Sequence, residues 1–140
     1  MNIKKGFTLI EILVVVTIIV LLTATAAVTY TAFLKQSRDA KRKTDLEQVR
    51  AALEMYRSNS DPSSYPVGSV YTTTLSVLTT PVIYIQSLPT DPKNPTYSYY
   101  YTGTASDYTI AAYLEGGGTT CVAGQCGGNC NYCMGPYGQK

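Results

Sequence analysis

The sequence predicts an α+β fold in which one long N-terminal helix precedes a small domain containing an antiparallel β-sheet. Its 140 residues suffice for one small domain. Residues 7–61 contain neither glycine nor proline, the strongest breakers of regular structure, and all 7 prolines follow them. Farther on, residues 97–101 and 108–114 are typical of two strands of a hairpin, the second with the two-residue period of a half-buried strand.

Composition narrows the possible functions. The 11 Lys and Arg residues against 9 Asp and Glu residues give a formal charge of +2, which is too small to indicate a nucleic-acid partner. Histidine is absent, which removes the commonest general base and metal ligand. No catalytic triad, phosphate-binding loop or pair of catalytic carboxylates is recognisable. We therefore expect a protein that is not an enzyme, with no catalytic residues, no cofactor and no resident metal.

The first part of the predicted helix, residues 7–34, has the composition of a membrane span, and Glu11 is its only charged residue. As a helix it would extend roughly 42 Å at ~1.5 Å per residue, more than the ~30 Å hydrocarbon core of a bilayer. A secretory signal peptide, cut within residues 23–27, is the main alternative. Glu11 and the helical pattern that continues beyond Ala27 argue against it.

Glu11 requires an explanation if it lies in a membrane. A charged side chain at the centre of a membrane helix costs ~2.5–3.5 kcal/mol on insertion scales, and less near the helix end. Glu11 is therefore either close enough to the membrane surface to stay hydrated or paired with a positive group.

The residues around Glu11 resemble a known processing motif. The run KKGFTLIEILVV at residues 4–15 has a basic leader, a glycine, a phenylalanine and then a glutamate at the start of an apolar span. It resembles the motif of type IV prepilins and of type II secretion pseudopilins. The similarity continues at residues 46–56, 65–66 and 84–92, where it is greatest to the major pseudopilins.

This resemblance implies a series of events at the N-terminus. A membrane prepilin peptidase would cut between Gly6 and Phe7 to remove the leader 1–6, and the same enzyme would methylate the amine of Phe7. Glu11 would then meet the positive amine of a neighbouring subunit as the chain joins a homo-oligomeric helical filament at an assembly-platform membrane protein. Subunits of type IV pili and of type II secretion pseudopili share this N-terminus, so the motif does not distinguish between the two kinds of filament.

The chain departs from the family pattern in two places. Many members have a proline farther along the helix, whereas residues 23–34 contain none. Major pseudopilins carry an Asp-rich calcium loop near the C-terminus. Here that region is glycine-rich at residues 116–118, and no acidic residue follows Glu115. Because calcium prefers several oxygen ligands, usually carboxylates, we expect no calcium site.

The basic residues on the two sides of the span disagree with the family topology. The leader offers two lysines, whereas residues 35–43 offer five basic side chains, which by the positive-inside rule would place the C-terminal domain in the cytoplasm. The resemblance implies the opposite, and the cysteines favour an oxidising compartment. We therefore expect a single-pass inner-membrane protein whose C-terminal domain is extracytoplasmic.

Residues 35–58 predict an amphipathic continuation of the helix. Apolar residues recur at spacings of three and four and should bury against the sheet. They are Leu46, Val49, Ala52, Leu53 and Tyr56. The opposite face is assigned to Asp45, Gln48, Arg50 and Glu54. Weak ion pairs are expected between residues three apart, either Glu47 with Arg50 or Glu54 with Arg57. The basic run at residues 41–43 is interpreted as a solvated face, with contact to lipid headgroups or to a neighbour's acidic face as the alternative.

Residues 59–114 are expected to form a small globular domain, with a helical turn at 73–79, and residues 115–140 a Gly/Cys-rich tail. The tail contains Cys121, Cys126, Cys130 and Cys133. Outside the cytoplasm these predict two disulfides with three possible pairings, and a zinc site of four thiolates is the alternative. A monomeric membrane-anchored domain that binds a ligand or a metal through this tail is therefore the alternative to a filament subunit.

Overall fold

The computed structural model describes residues 6–140, apart from the side chains of residues 27 and 28. Lys4 and Lys5 of the predicted leader lie outside the described residues. One helix, α1 (Leu9–Asn59), is 51 residues long. It ends shortly before Asp61–Pro62, because a proline disfavours the helical conformation of the residue that precedes it.

The chain divides into two compact units, one up to Lys35 and one from Gln36 to Lys140. In the first unit the large apolar side chains of α1 are exposed, and the helix is long and apolar enough to cross a membrane. The stretch 23–34, which lacks proline, is continuous helix. Threonine hydroxyls in this unit donate to carbonyls three or four residues earlier, at Thr17, Thr23, Thr25 and Thr29. Hydroxyls satisfied within their own helix can face lipid without losing a hydrogen bond.

In the second unit, α1 packs on a four-stranded antiparallel sheet. The strands, in spatial order, are β1 (Tyr100–Gly103), β2 (Tyr108–Ala112), β3 (Tyr132–Gly135) and β4 (Gly138–Gln139). Each strand pairs with the next strand in the sequence, so the sheet is a meander. This arrangement confirms the predicted α+β fold of a long helix on a small antiparallel sheet.

A short helix, α2 (Tyr71–Thr74), and the 3-10 turn Leu75–Leu78 lie between α1 and the sheet in sequence. Leu75 and Leu78 are both fully buried. A helical turn in this region with these two leucines directed inward is therefore confirmed, although it begins earlier than the predicted 73–79.

The predicted hairpin is present, but its first strand is shifted. β1 begins at Tyr100, because the chain at Tyr97 still closes a turn in which its N–H donates to the Lys93 carbonyl at 3.2 Å. The strand then extends to Gly103, which pairs with Tyr108. β3 and β4 lie in the Gly/Cys-rich tail, where the sequence had predicted no strands.

The main core lies between α1 and the sheet. Leu46, Val49, Ala52 and Leu53 are each exposed by 1% or less, so the predicted apolar stripe is confirmed. The other side of the sheet is also covered. Ala111 of β2 is fully buried against three of the cysteines, which is why β2 does not keep the alternating exposure of a half-buried strand.

Candidate functional site

The N-terminal end of α1 is held by a capping box between Thr8 and Glu11. The Thr8 N–H and the Thr8 hydroxyl both donate to Glu11 Oε2, at 3.2 and 3.1 Å. The Glu11 N–H in turn donates a hydrogen bond to Thr8 Oγ1 at 3.3 Å. A threonine before the first helical residue with a glutamate three positions later is the sequence signature of this cap. This second role of Glu11 was not predicted from the sequence.

Gly6 and Phe7 precede the helix. Both residues are in non-helical backbone, and Phe7 is 81% exposed. A Cβ atom added to Gly6 would meet nothing within 4 Å. Gly6, Phe7, Thr8 and Glu11 line one open depression, so the residues predicted for cleavage, methylation and assembly are close together.

The basic run at residues 41–43 is not a uniformly solvated face. Lys41 and Lys43 are exposed, but Arg42 is fully buried, so the prediction is wrong for Arg42. Helical spacing explains the difference, because Arg42 lies four residues before Leu46 and therefore on the buried side of α1. The Lys43 ammonium group lies 5.5 Å from the centre of the Tyr132 ring.

Three carboxylates surround Arg42. Its Nε and Nη2 atoms donate to the two oxygens of Asp91, at 2.7 and 3.0 Å. Its Nη1 atom donates to Asp39 at 2.8 Å and to Glu115 at 3.1 Å. These charge-assisted hydrogen bonds use the planar fork of the guanidinium group. Arg42 therefore connects α1 with the turn that contains Asp91 and with the start of the tail.

Asp39 and Glu115 attach the tail to the helix. Asp39 accepts the N–H groups of Glu115 and Gly116, at 2.9 and 2.7 Å. The Glu115 carboxylate accepts two hydrogen bonds of 2.7 Å from Arg38 and one of 2.9 Å from Lys93. We call the six side chains of Arg38, Asp39, Arg42, Asp91, Lys93 and Glu115 the charge network. It joins three segments that are far apart in the sequence.

The charge network shifts the titration of its members. The hydrogen bonds from Arg38, followed by those from Lys93 and Arg42, hold the pKa of Glu115 well below its ordinary value despite partial burial. Burial lowers the pKa of Arg42. The hydrogen bonds to Asp91, Glu115 and Asp39 together outweigh this effect and raise it above the ordinary arginine value. Both groups are therefore charged at neutral pH.

Two acidic residues that were assigned to the face of α1 opposite the apolar stripe also point inward. Asp45 is only 7% exposed and accepts the Tyr99 hydroxyl at 2.7 Å. Burial, together with this carboxylate, raises the pKa of Tyr99 far above that of a free tyrosine. Glu54 is half-buried and accepts the hydroxyl of Tyr65 at 2.9 Å. The assignment is wrong for both residues. Of the two predicted ion pairs, Glu47 with Arg50 is present at 2.9 Å, whereas Glu54 and Arg57 each bind the Tyr65 hydroxyl instead, at 2.9 Å.

All four cysteines form disulfides. The pairing that the sequence left open is Cys121 with Cys133 and Cys126 with Cys130. Both bridges lie on the side of the sheet opposite α1, where they pack on Ala111. A zinc site of four thiolates is incompatible with this structure, because each of the four cysteine sulfurs is already bonded to another cysteine sulfur.

Residues 1–27 match the sequence model of the family described as the prokaryotic N-terminal methylation motif. This is the cleavage and methylation motif of type IV pilin-like precursors. No curated protein and no solved structure shows a significant match to the chain. The chain therefore carries a prepilin-type N-terminus, and its apolar helix fits a membrane-anchored pilin-like precursor.

Proposed function

We propose that the chain is a structural subunit of a type IV pilus or of a type II secretion pseudopilus. The observation that carries the proposal is the methylation motif at residues 1–27, within which an apolar helix with exposed side chains begins at Leu9. An apolar helix of this length can be stored in a membrane and later packed against identical helices in a filament.

Processing begins with the Gly6–Phe7 peptide bond. A prepilin peptidase hydrolyses it with water, which leaves a carboxylate on Gly6 and a free amine on Phe7. The same enzyme then transfers a methyl group from a methyl-donor cosubstrate to that amine, which loses a proton. The exposed, non-helical position of both residues supports this step. The charge of the leader is lost at the same time, because its lysines leave with it.

Assembly depends on Glu11. Removal of the leader places a positive amine four residues from Glu11 in every subunit. In a filament, the amine of one subunit neutralises the carboxylate of a neighbour, where the interaction is less screened than at a protein surface. The cap on Thr8 holds this carboxylate at the helix end until the neighbour arrives.

The remaining partners follow from this role. The chain is held in the inner membrane, with the second unit on the extracytoplasmic side, and an assembly-platform membrane protein adds it to the growing filament. Two disulfides fit an oxidising compartment. The second unit forms the filament surface.

Glu11→Gln tests the proposal. Glutamine keeps an oxygen that can accept the Thr8 hydrogen bonds but removes the charge. We expect normal membrane insertion and loss of filaments, measured as sheared filament protein, with membrane protein from the same cells as the control. Filaments at the wild-type level would contradict the assembly mechanism. That result would favour a monomeric membrane-anchored domain, which does not need the charge of Glu11.

A further inference from the structure

The two disulfides differ sharply in accessibility. Cys126 and Cys130 are fully buried, and Cys133 is 2% exposed. Of the four cysteines, all of which lie in the described part of the chain, Cys121 alone is exposed. We call the Cys121–Cys133 bridge the outer disulfide and the Cys126–Cys130 bridge the inner disulfide. They are neighbours, because Cys121 Sγ lies 3.5 Å from the Cys130 carbonyl oxygen.

Several backbone contacts hold the inner disulfide in place. The Cys126 carbonyl accepts the Ser98 N–H, at the approach to β1, at 3.4 Å. The Cys130 N–H donates to the Val122 carbonyl at 2.8 Å, and the Cys121 N–H donates to the Cys130 carbonyl at 2.9 Å. Gly127, inside the loop, packs so closely on Thr96 that a Cβ atom would collide with the Thr96 carbonyl. Opening this loop requires displacing the chain around β1.

Thiol–disulfide exchange requires a thiolate to reach one sulfur of the bridge, so access decides which bridge reacts and at which atom. Of the four cysteines, only Cys121 is exposed to such a nucleophile. We propose that Cys121 is a thiol–disulfide exchange site, through which a dithiol-bearing partner opens and closes the outer disulfide while the inner disulfide stays intact. The partner class is a thiol oxidoreductase with two neighbouring cysteines.

The chemistry balances in two steps. A partner thiolate bonds to Cys121 Sγ and breaks the Cys121–Cys133 bond, and Cys133 leaves as a thiolate that takes a proton from water. The second thiol of the partner then attacks the mixed disulfide and releases reduced Cys121, so the partner is oxidised as the outer disulfide is reduced. The reverse sequence closes the bridge. This proposal does not depend on filament assembly.

The opened state keeps the sheet. Cys133 stays paired with Ala111 in the ladder between β2 and β3, and the inner disulfide still covers Ala111. Only the connection between the tail around Cys121 and β3 is released. Opening therefore loosens one surface segment and leaves the strands in place.

Partial reduction tests the order of reaction. The full chain in detergent micelles is treated with increasing dithiothreitol, alkylated with N-ethylmaleimide and mapped by mass spectrometry. We expect alkylation of Cys121 at least tenfold faster than that of the buried Cys126 and Cys130, with unchanged far-UV circular dichroism at that stage. Alkylation of Cys126 or Cys130 before or together with Cys121 overturns the proposal. The control is the same experiment in about 6 M guanidinium, which unfolds even very stable proteins. There the difference in alkylation rate between the cysteines should disappear.

A matched pair of single variants identifies the reactive sulfur. Cys133→Ala leaves the Cys121 thiol free, and Cys121→Ala leaves the Cys133 thiol free. We expect the first variant to react at least tenfold faster with 5,5′-dithiobis(2-nitrobenzoic acid) in the folded state. Equal rates under native conditions, with the near-UV signal of the folded domain retained in both variants, would overturn the assignment of Cys121.

Discussion

Arg42 and Asp91 form a bidentate ion pair in which neither side chain is exposed to solvent. The two hydrogen bonds are 2.7 and 3.0 Å long. Asp91 also accepts the Lys93 N–H at 2.8 Å, which fixes the turn that follows it. A buried charge pair stabilises little compared with an apolar replacement, but loss of one partner leaves a charge without compensation. The pair therefore determines where this turn docks on α1.

Replacement of Arg42 should be strongly destabilising. We expect Arg42→Ala to lower the free energy of unfolding by about 3–5 kcal/mol, because Asp91 and Asp39 would keep buried charges without their cation. Urea unfolding of the full chain in micelles, followed by near-UV circular dichroism, measures this. The adjacent exposed lysine provides the control, since Lys41→Ala should change stability by less than about 0.5 kcal/mol. Equal effects of the two substitutions would show that the charge network is not needed for folding.

Glu115 should make the second unit sensitive to acid. Because the hydrogen bonds from Arg38 lower its pKa in the folded state, ionised Glu115 stabilises the fold fully above the unfolded pKa of about 4.3. That stabilisation is lost as the pH falls from there towards the lower folded-state pKa. We expect the urea midpoint to fall between pH 5 and pH 3, and to fall less in Glu115→Gln. The exposed carboxylate variant Glu47→Gln should behave as the wild type, and an identical pH profile for all three proteins would contradict this account.

The hydrogen bond from Tyr99 to Asp45 supports a buried carboxylate on α1. Tyr99→Phe keeps the ring but removes the donor at 2.7 Å. A buried acceptor left without its partner costs about 1–3 kcal/mol, and we expect a loss of that size in the free energy of unfolding. Tyr137 is 98% exposed, so Tyr137→Phe is the matched control and should have no measurable effect. If both variants unfold at the wild-type urea concentration, the hydrogen bond does not stabilise the domain.

Alanine substitutions at two neighbouring glycines of the inner disulfide loop should differ in their effect on the free energy of unfolding. Gly127 has a φ of 76° and lies against the Thr96 carbonyl, whereas a Cβ atom at Gly128 would meet nothing within 4 Å. Gly127→Ala should be destabilising for two reasons. It forces a side chain into a left-handed conformation, which costs ~1–2 kcal/mol, and it overpacks the loop, which costs ~1–3 kcal/mol. Gly128→Ala should be neutral or stabilising by up to about 1 kcal/mol. Urea unfolding measures both, and a Gly127→Ala protein as stable as Gly128→Ala would contradict the described packing of this loop.

The sequence predicted those parts of the fold that depend on local periodicity. Leu46, Val49 and Leu53 recur at helical spacing, so their burial could be predicted from the sequence alone. Arg42 and Asp45 continue the same spacing towards the N-terminus, but their polarity indicated solvent, and Asp39 lies a further turn back on the same buried side. Their partners Asp91, Tyr99 and Glu115 are distant in the sequence, and no local pattern connects them.

The tail shows the same limit. β3 contains Cys133 and Gly135, which have little intrinsic preference for strands. It forms because β2 offers a partner edge and because the disulfides hold the tail against Ala111. Glu11 is different, since the threonine three residues before it was visible from the start. A threonine at this spacing from a glutamate is a local signal that predicts a helix cap.

The mature N-terminus tests the central claim most directly. Membrane and filament fractions from cells that express the full chain are analysed by mass spectrometry of the N-terminal peptide. The account predicts a chain that lacks residues 1–6 and begins at Phe7 with a methyl group on its amine. A chain that keeps residues 1–6, or one cut within residues 23–27 as a secretory signal peptide would be, contradicts it.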